Sequence, residues 1–298
     1  MMSGISHVKR LVFVMVLVCF TCFAWADGKL SVGISKVEAT TAMQKNVVGE
    51  KQNSMNRVME AMENQLIDRL HNTRKFKVVA RGDLEKILKE QDLQSAISSD
   101  PVQAFKIAGC KYTVVTTVDD FQDIKKKLKG AGGQVIASKR KIRLSSVAKI
   151  YDTETGELKE SANFQLSNDE GKEHLLGATA DGAESDKLLL AMARAMADKI
   201  ANRVIDVIFP AKVISKNGGF IMINRGDGTD IAKGEIWRVF HTGEQLVDPD
   251  TGEVLGKTET PIGKVEIVDV TPKFTRAKIL EDYGIERLNI LRKIDENK

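Results

Sequence analysis

Acidic side chains cluster in the segment DPDTGEVLGKTE, which spans residues 248–259. Asp248, Asp250 and Glu259 stand at the first, third and last positions of a twelve-residue EF-hand loop, where that loop places oxygen ligands for calcium. The segment then departs from the loop, because the sixth position needs a glycine and holds Glu253 instead. No helices are predicted on either side of it. Calcium binding therefore has the acidic residues it needs but lacks the required turn.

A tight turn between two strands explains the same residues. The segment YDTETGELK, residues 151–159, repeats the order Asp-x-x-Thr-Gly-Glu between two other strand candidates. In such a turn the aspartate accepts hydrogen bonds from nearby amides, and Gly156 or Gly252 supplies a positive φ. One turn chemistry used twice fits two hairpins better than two calcium sites. We therefore predict no metal site and no cofactor, with calcium at residues 248–259 as the alternative.

The sequence shows no recognised catalytic constellation. The histidines of the mature chain, His71, His174 and His241, are far apart and lack the spacing of zinc ligands. The glycine-rich segments KGAGGQ (residues 129–134) and INRGDGTD (residues 223–230) match neither a phosphate-binding loop nor a dinucleotide site. We therefore predict that the protein has no catalytic residues and is not an enzyme.

The N-terminus has the features of an export signal. A basic start precedes an uncharged apolar core, Leu11–Phe23, and small residues at positions 24 and 26 satisfy the cleavage rule. We predict a signal peptide over residues 1–26 that is cleaved between Ala26 and Asp27. The mature protein is then periplasmic, with or without association with the outer membrane. An uncleaved anchor is the alternative.

Cysteine usage fits an exported protein without disulfides. Cys19 and Cys22 lie within the signal, so Cys110 is the one cysteine of the mature chain, and we predict that it is buried. A lipoprotein signal carries a small residue directly before its cysteine. Val18 and Thr21 precede these two cysteines instead, so lipidation is disfavoured.

Alternating strand and helix patterns fill residues 27–209, which we predict to form one α/β sandwich domain. Apolar residues recur at helical spacing along two long segments, residues 54–72 and 184–209, and Pro210 ends the second. A polar linker is predicted before the first of these helices. Short strands are predicted at residues 29–37, 76–81 and 112–118, a hairpin at 142–167, and helix caps at Asp83 and Asp100.

The pattern changes after Pro210. No strong helical period remains, and short strand candidates, among them EVLGKT and KVEIVDV, alternate with turn clusters such as NGG, RGDGTD and DPDTGE. This is the pattern of a small antiparallel barrel. We place a domain boundary near Phe209–Pro210 and a second domain at residues 210–298, and a chain of 298 residues fits two domains.

A basic, glycine-rich segment, DIKKKLKGAGGQVIASKRK, lies between Asp123 and Lys141. Two interpretations of it remain open: a solvated, mobile loop, or a contact to an anionic membrane surface or polymer. The formal net charge of the whole chain, +4, is small for its length, so no nucleic-acid partner is indicated.

Residues 27–209 resemble the periplasmic domain of the curli secretion protein (CsgG/HfaB) family, the penicillin-binding-protein activators and the N-terminal domain of TolB. The resemblance lies in an initial strand, a long amphipathic helix, and the segments FKVVARGDLEKILKEQDLQ and AFKIAGCKYTVVTTVDDFQ. Residues 210–281 are similar to the C-terminal domain of the flagellar assembly protein T family, through INRGDGTDIAKGEIWRVF, DPDTGEVLG and PIGKVEIVDV. Together these imply an α+β fold, with a TolB-N/CsgG-like α/β sandwich followed by a small antiparallel SH3-like β-barrel.

The resemblance implies a non-catalytic protein of the cell envelope that acts by protein–protein interaction in a flagellar basal-body ring or a curli-type assembly. Its implied partners are envelope proteins and further copies of itself in a ring. The lysines between Asp123 and Lys141 argue against a membrane pore. The alternative is a regulator of a cell-wall synthase or a peptidoglycan-binding module. In that case Trp237 would stack on a sugar, whereas otherwise it belongs to the core.

Overall fold

A computed structural model describes residues 29–46, 49–90, 100–129, 135–167, 186–252 and 254–294. The described residues form two six-stranded sheets with helices packed on the first, which confirms the predicted α+β class. The first part contains β1 (Leu30–Ile34), β2 (Glu38–Ala39), α1 (Thr41–Asn46), α2 (Glu50–Asn72), β3 (Phe76–Ala80), α3 (Arg81–Glu90), α4 (Pro101–Ile107), β4 (Tyr112–Lys129), β5 (Val135–Asp152), β6 (Leu158–Ser167) and α5 (Asp186–Ile208). The second contains β7 (Val213–Asn217), β8 (Phe220–Ile223), β9 (Ile236–Val247), β10 (Val254–Val270), β11 (Thr275–Asp282) and β12 (Ile290–Lys293).

The first sheet has the strand order β3-β1-β4-β5-β6, with β2 beside β4. β1 runs parallel to both neighbours, whereas β4, β5 and β6 are successive antiparallel strands. Helices α2 and α5 pack against each other and cover one face of this sheet, as their apolar spacing predicts. The buried side chains of this layer include Met55, Val58, Met62, Leu66 and Leu70 of α2 and Met192, Met196, Ile200 and Val204 of α5.

The other face of the first sheet is covered by the shorter helices α3 and α4. Successive residues of a strand point to opposite faces, so Val32 and Ile34 of β1 enter the large core while Gly33 faces the opposite layer. There Phe105 of α4 lies directly over Gly33. The sandwich is therefore closed on both sides of β1.

Cys110 belongs to this smaller core, beside Phe105 and Leu84. Its side chain is buried, and burial raises the pKa of the Cys110 thiol to about 11. The prediction of a buried cysteine is confirmed, and a thiol with such a pKa is a poor nucleophile at neutral pH.

The prediction of a loop between Asp123 and Lys141 was wrong for most of that segment. β4 continues to Lys129 and β5 begins at Val135, and the two strands pair throughout, with Lys125 opposite Arg140. Alternation of apolar and polar residues marks a strand only where one face is buried. This part of the hairpin pairs with no third strand among the described residues, so its sequence carries no such alternation.

Three smaller expectations also need correction. α3 begins at Arg81, so Asp83 lies in its first turn instead of capping it. The polar linker after β1 contains β2 and α1. The two strands predicted at EVLGKT and KVEIVDV are one strand, β10, whose register shifts beside Gly256 and Gly263. Asp100 caps α4 as predicted, because its carboxylate accepts from the amide of Val102 at 3.0 Å.

The second sheet is antiparallel throughout, as predicted for residues after Pro210. Its strand order is β12-β9-β10-β11-β8-β7. Its outermost strands meet at one bridge between Lys212 and Ile290, where Leu291 N donates to Ala211 O at 2.9 Å. A closed barrel needs its first and last strands to pair, and within the described residues these two strands share a single bridge. The SH3-like barrel therefore remains a prediction. The sheet has its own core, which includes Val213, Ile221, Trp237, Val239, Val265, Ile267 and Ala277.

Replacing Gly33 by alanine is expected to destabilise the sandwich. The added Cβ would lie 2.3 Å from Cδ1 of the buried Phe105 ring, so the helix or the strand must shift. We expect a loss of about 1–3 kcal/mol in the free energy of unfolding, measured by urea denaturation. The control is Gly82→Ala in α3, where no atom lies within 4 Å of the new Cβ. Equal unfolding midpoints for the two variants would contradict the packing described.

Candidate functional site

A cleft of about 580 Å³ lies where the last turns of α5 meet the second sheet. Charged side chains from both parts line it, mixed with apolar ones. Its lining residues include Arg203 and Asp206 of α5 and Arg225, Trp237, Arg292 and Lys293 of the second part.

Arg225 is the central residue of this cleft. Its side chain is 3% exposed, and its Nη2 donates to Oδ1 of Asp206 at 2.5 Å. The same guanidinium donates to the carbonyls of Phe209 and Thr229 and lies 5.9 Å from the ring of Trp237. A buried cation is costly unless it is paired and hydrogen-bonded, so these contacts hold α5 against the second sheet.

The turn RGDGTD positions Arg225. Gly226 approaches the backbone of the β10–β11 turn so closely that a Cβ there would lie 2.6 Å from the carbonyl oxygen of Thr271. The hydroxyl of Thr229 donates to Gly226 O at 2.6 Å and closes the turn. The segment is thus a turn that fixes one guanidinium.

Lys75 makes a second link between the two parts. It lies in the turn between α2 and β3, and its Nζ donates to Asn224 O at 2.6 Å and to Lys273 O at 3.1 Å. The ammonium also lies 5.0 Å from the centre of the Phe209 ring. Burial, with Arg225 and Lys273 nearby, lowers the pKa of Lys75. The junction therefore rests on two buried or half-buried cations.

The remaining cations of the cleft are paired with carboxylates. Arg203 contacts Glu160 at 2.7 Å and Arg292 contacts Glu259 at 2.6 Å. Lys293 contacts Glu235 at 2.5 Å. No histidine, cysteine or serine is among the described residues that line the cleft. The cleft is thus lined by charge pairs, and of these the pair of Arg225 and Asp206 joins the two parts.

The acidic segment at residues 248–259 is a hairpin turn between β9 and β10. Oδ1 of Asp248 accepts from the amides of Asp250 at 2.8 Å and Thr251 at 2.9 Å, and these bonds, that to Thr251 first, lower the pKa of Asp248. Gly252 has a φ of 71°, as the turn requires. Glu259 contacts Arg292 on β12, and Glu253 lies outside the described residues.

The second copy of the motif adopts the same turn between β5 and β6. Oδ1 of Asp152 accepts from the amides of Glu154 at 2.9 Å and Thr155 at 3.3 Å, and Gly156 has a φ of 76°. The interpretation of both segments as hairpin turns is confirmed. In the described part of the chain, no group of three His, Cys, Asp or Glu residues is placed to hold a metal ion.

The other residues singled out by sequence are dispersed. His71 ends α2 and His241 lies on β9, both exposed, while His174 is outside the described residues. Trp237 is 3% exposed and its Nε1 donates to Glu235 at 3.0 Å, which favours the core over sugar stacking. The cleavage residues Ala26 and Asp27 and the cysteines Cys19 and Cys22 also lie outside the described residues.

Sequence reasoning missed the junction formed by Arg225, Asp206 and Lys75. These are common charged residue types among the 45 basic and 41 acidic residues of the chain. The one signal near them is the glycine turn that holds Arg225, and it does not identify Asp206, nineteen residues earlier on α5.

The sequence model of the family described as curli production assembly/transport component CsgG matches residues 21–168, just under half of the chain. This match supports the resemblance predicted for the first part and the CsgG-like envelope fold that it implies. An uncharacterized protein of Aquifex aeolicus (strain VF5) is 35% identical over 74 residues, which are 25% of this chain and 15% of that protein. The chain therefore matches only a small share of that relative's length.

Solved structures similar to the chain include the hypothetical protein CT253 from Chlamydia trachomatis, with a TM-score of 0.36 and 12% identity over 61% of this chain and 98% of that one. The C-terminal domain of LpoB from Escherichia coli has a TM-score of 0.26 and 13% identity over 48% and 88% of the two chains. TolB from Acinetobacter baumannii has a TM-score of 0.30 and 8% identity over 90% and 61%. These TM-scores are too low for any argument about function. Among the described helices, none has both the length and the apolar character needed to cross a membrane.

Calcium is expected to leave the stability of the protein unchanged. The carboxylate of Asp248 already accepts two amide hydrogen bonds, and Glu259 contacts a guanidinium. We expect the same melting temperature in millimolar calcium and in excess chelator. A ligand stabilises the state that binds it. If calcium raised the melting temperature and Asp250→Asn abolished that rise, the acidic turn would be a calcium site after all.

Asp206→Ala is expected to destabilise the protein because it leaves the buried guanidinium of Arg225 without its carboxylate. We expect a loss of about 1–3 kcal/mol in urea unfolding. The control is Glu157→Ala, which removes the exposed partner of Lys159, where surface pairs contribute about 0–1 kcal/mol. Combining Asp206→Ala with Arg225→Met should recover part of the loss. Equal effects of Asp206→Ala and Glu157→Ala would show that the junction does not need the pair.

Proposed function

We propose that this is an exported, non-catalytic assembly or scaffold protein of the cell envelope that acts by protein–protein interaction. The observation that carries the proposal is the match of residues 21–168 to the curli production assembly/transport family. The described part of that match is the first sheet, with its two long strands β4 and β5, and the helices α1 to α4; α5 lies outside it.

The second sheet supports an assembly role within the same proposal. The similarity to the C-terminal domain of the flagellar assembly protein T family predicts a small antiparallel barrel, and the strands of the second sheet are all antiparallel. We propose that it is an SH3-like domain fixed to the sandwich through Arg225 and Lys75. A rigid pair of domains suits a structural component of a flagellar ring or a curli-type assembly.

We further propose that the protein acts in the periplasm, with or without association with the outer membrane. The support is the export signal predicted in residues 1–26, with cleavage between Ala26 and Asp27. A regulator of a cell-wall synthase is the second candidate, because activators of such enzymes share the sequence resemblance. Direct binding of peptidoglycan is less well supported, since Trp237 is buried.

The proposal is tested by crosslinking in cells followed by affinity purification of the tagged protein. We expect a defined set of envelope proteins to co-purify, and a tagged, unrelated periplasmic protein serves as the control. Sedimentation with isolated peptidoglycan and turnover of chromogenic esters or glycosides are both expected to be absent. Recovery of no envelope protein above the control, or measurable turnover, would contradict an assembly role.

A further inference from the structure

Two antiparallel ribbons extend beyond the sheets to which they belong. In the first sheet, β6 pairs with β5 only as far as Arg143, and β4 and β5 continue as a pair beyond that point. In the second sheet, β12 pairs with β9 only over residues 237–240 and β11 with β10 only over residues 263–270. We call residues 123–143 the basic arm and residues 241–261 the acidic arm.

Most of the described residues of the acidic arm are exposed, at positions 241, 243–247, 249–252, 254 and 257–261. Each strand contributes about seven residues, so at about 3.3 Å per residue it extends roughly 20 Å. Near its tip the side chains of Leu246, Val247 and Val254 are 48%, 51% and 56% exposed. A two-stranded ribbon is marginally stable by itself, and exposed apolar side chains on one indicate a contact surface.

The tip of this arm is fixed in shape and negatively charged. The Asp248 turn holds it through amide hydrogen bonds. Residues 241–261 contain five acidic residues and one lysine. Glu244 and Asp250 are exposed, and the carboxylate of Asp250 takes no part in the hydrogen bonds that form the turn.

The basic arm has the opposite charge. Residues 123–143 contain eight lysine or arginine residues and one aspartate. At the foot of this arm lies a groove of about 360 Å³, between β5 and the end of β6. Lys141 and Arg143 are exposed at its rim, while Ile142 and Leu166 are buried beneath.

We propose that the acidic arm of one copy of this chain docks at the foot of the basic arm of another copy. The carboxylates of Glu244 and Asp250 would face Lys141 and Arg143, and the apolar tip would cover the groove. The occupant is a second copy because each chain carries both surfaces and their charges are opposite. A contact between two different surfaces is head-to-tail and can propagate from copy to copy. The proposal rests on the assembly role above and specifies one contact within it.

Charge reversal tests the contact in the purified mature chain, with sedimentation velocity as the measurement. Glu244→Lys with Asp250→Lys, and separately Lys141→Glu with Arg143→Glu, should each raise the dissociation constant of self-association about tenfold or more. Added salt should weaken the wild-type association, since these charges are exposed. The matched control is Glu154→Lys with Glu157→Lys, on the second copy of the same turn, which should associate like the wild type.

Mixing the two arm variants should restore association, because reversed charges then meet reversed charges. That recovery also shows that both variants are folded.

Three outcomes would overturn the inference: a wild-type protein that stays monomeric at high concentration, no recovery of association on mixing, or an equal loss of association in the control variant. Binding to anionic lipid vesicles that only the basic-arm reversal abolishes, with self-association unchanged, would overturn it too and assign that arm to a membrane surface. Recovery of envelope partners from cells is a separate readout, so the assembly role can stand if the arm contact fails.

Discussion

A buried guanidinium has to be neutralised and hydrogen-bonded where it lies, and Arg225 imposes that requirement on the junction of the two sheets. Asp206 supplies the charge and the carbonyl of Phe209 accepts a further hydrogen bond, so the end of α5 is held at the second sheet. Lys75 adds a link from the turn before β3. These contacts set how one sheet is oriented to the other, and thus where the basic and acidic arms project.

The elements with a buried face could be predicted from sequence, and the arms could not. Apolar spacing identified α2 and α5 because one side of each helix enters the core. The outer halves of β4 and β5 pair mainly with each other, and main-chain hydrogen bonds form whatever the side chains are. A lysine-rich ribbon therefore resembles a loop in its sequence. β10 was divided in two for a related reason, since Gly256 and Pro261 interrupt its pattern without ending its pairing.

In the candidate site, too, features formed by residues close in sequence could be predicted, whereas contacts between residues far apart in sequence could not. The turns at Asp152 and Asp248 were predictable because each is formed by hydrogen bonds between residues only a few positions apart in the sequence. The pair of Arg225 and Asp206 depends on the packing of α5 against another sheet, which no local pattern describes. The family match ends at residue 168, so Asp206, Arg225 and the acidic arm all lie outside it.

The burial of Cys110 makes the protein well suited to labelling experiments. Burial raises the pKa of the Cys110 thiol to about 11, so little of it is ionised at neutral pH, and the side chain packs with Phe105 of α4. Maleimide reagents and disulfide exchange should therefore leave it untouched in the folded state. In a chain that lacks residues 1–26, where Cys110 is the one cysteine, a cysteine introduced at an exposed position would carry a fluorophore or spin label with little background. Distances between copies could then be measured without first removing the native residue.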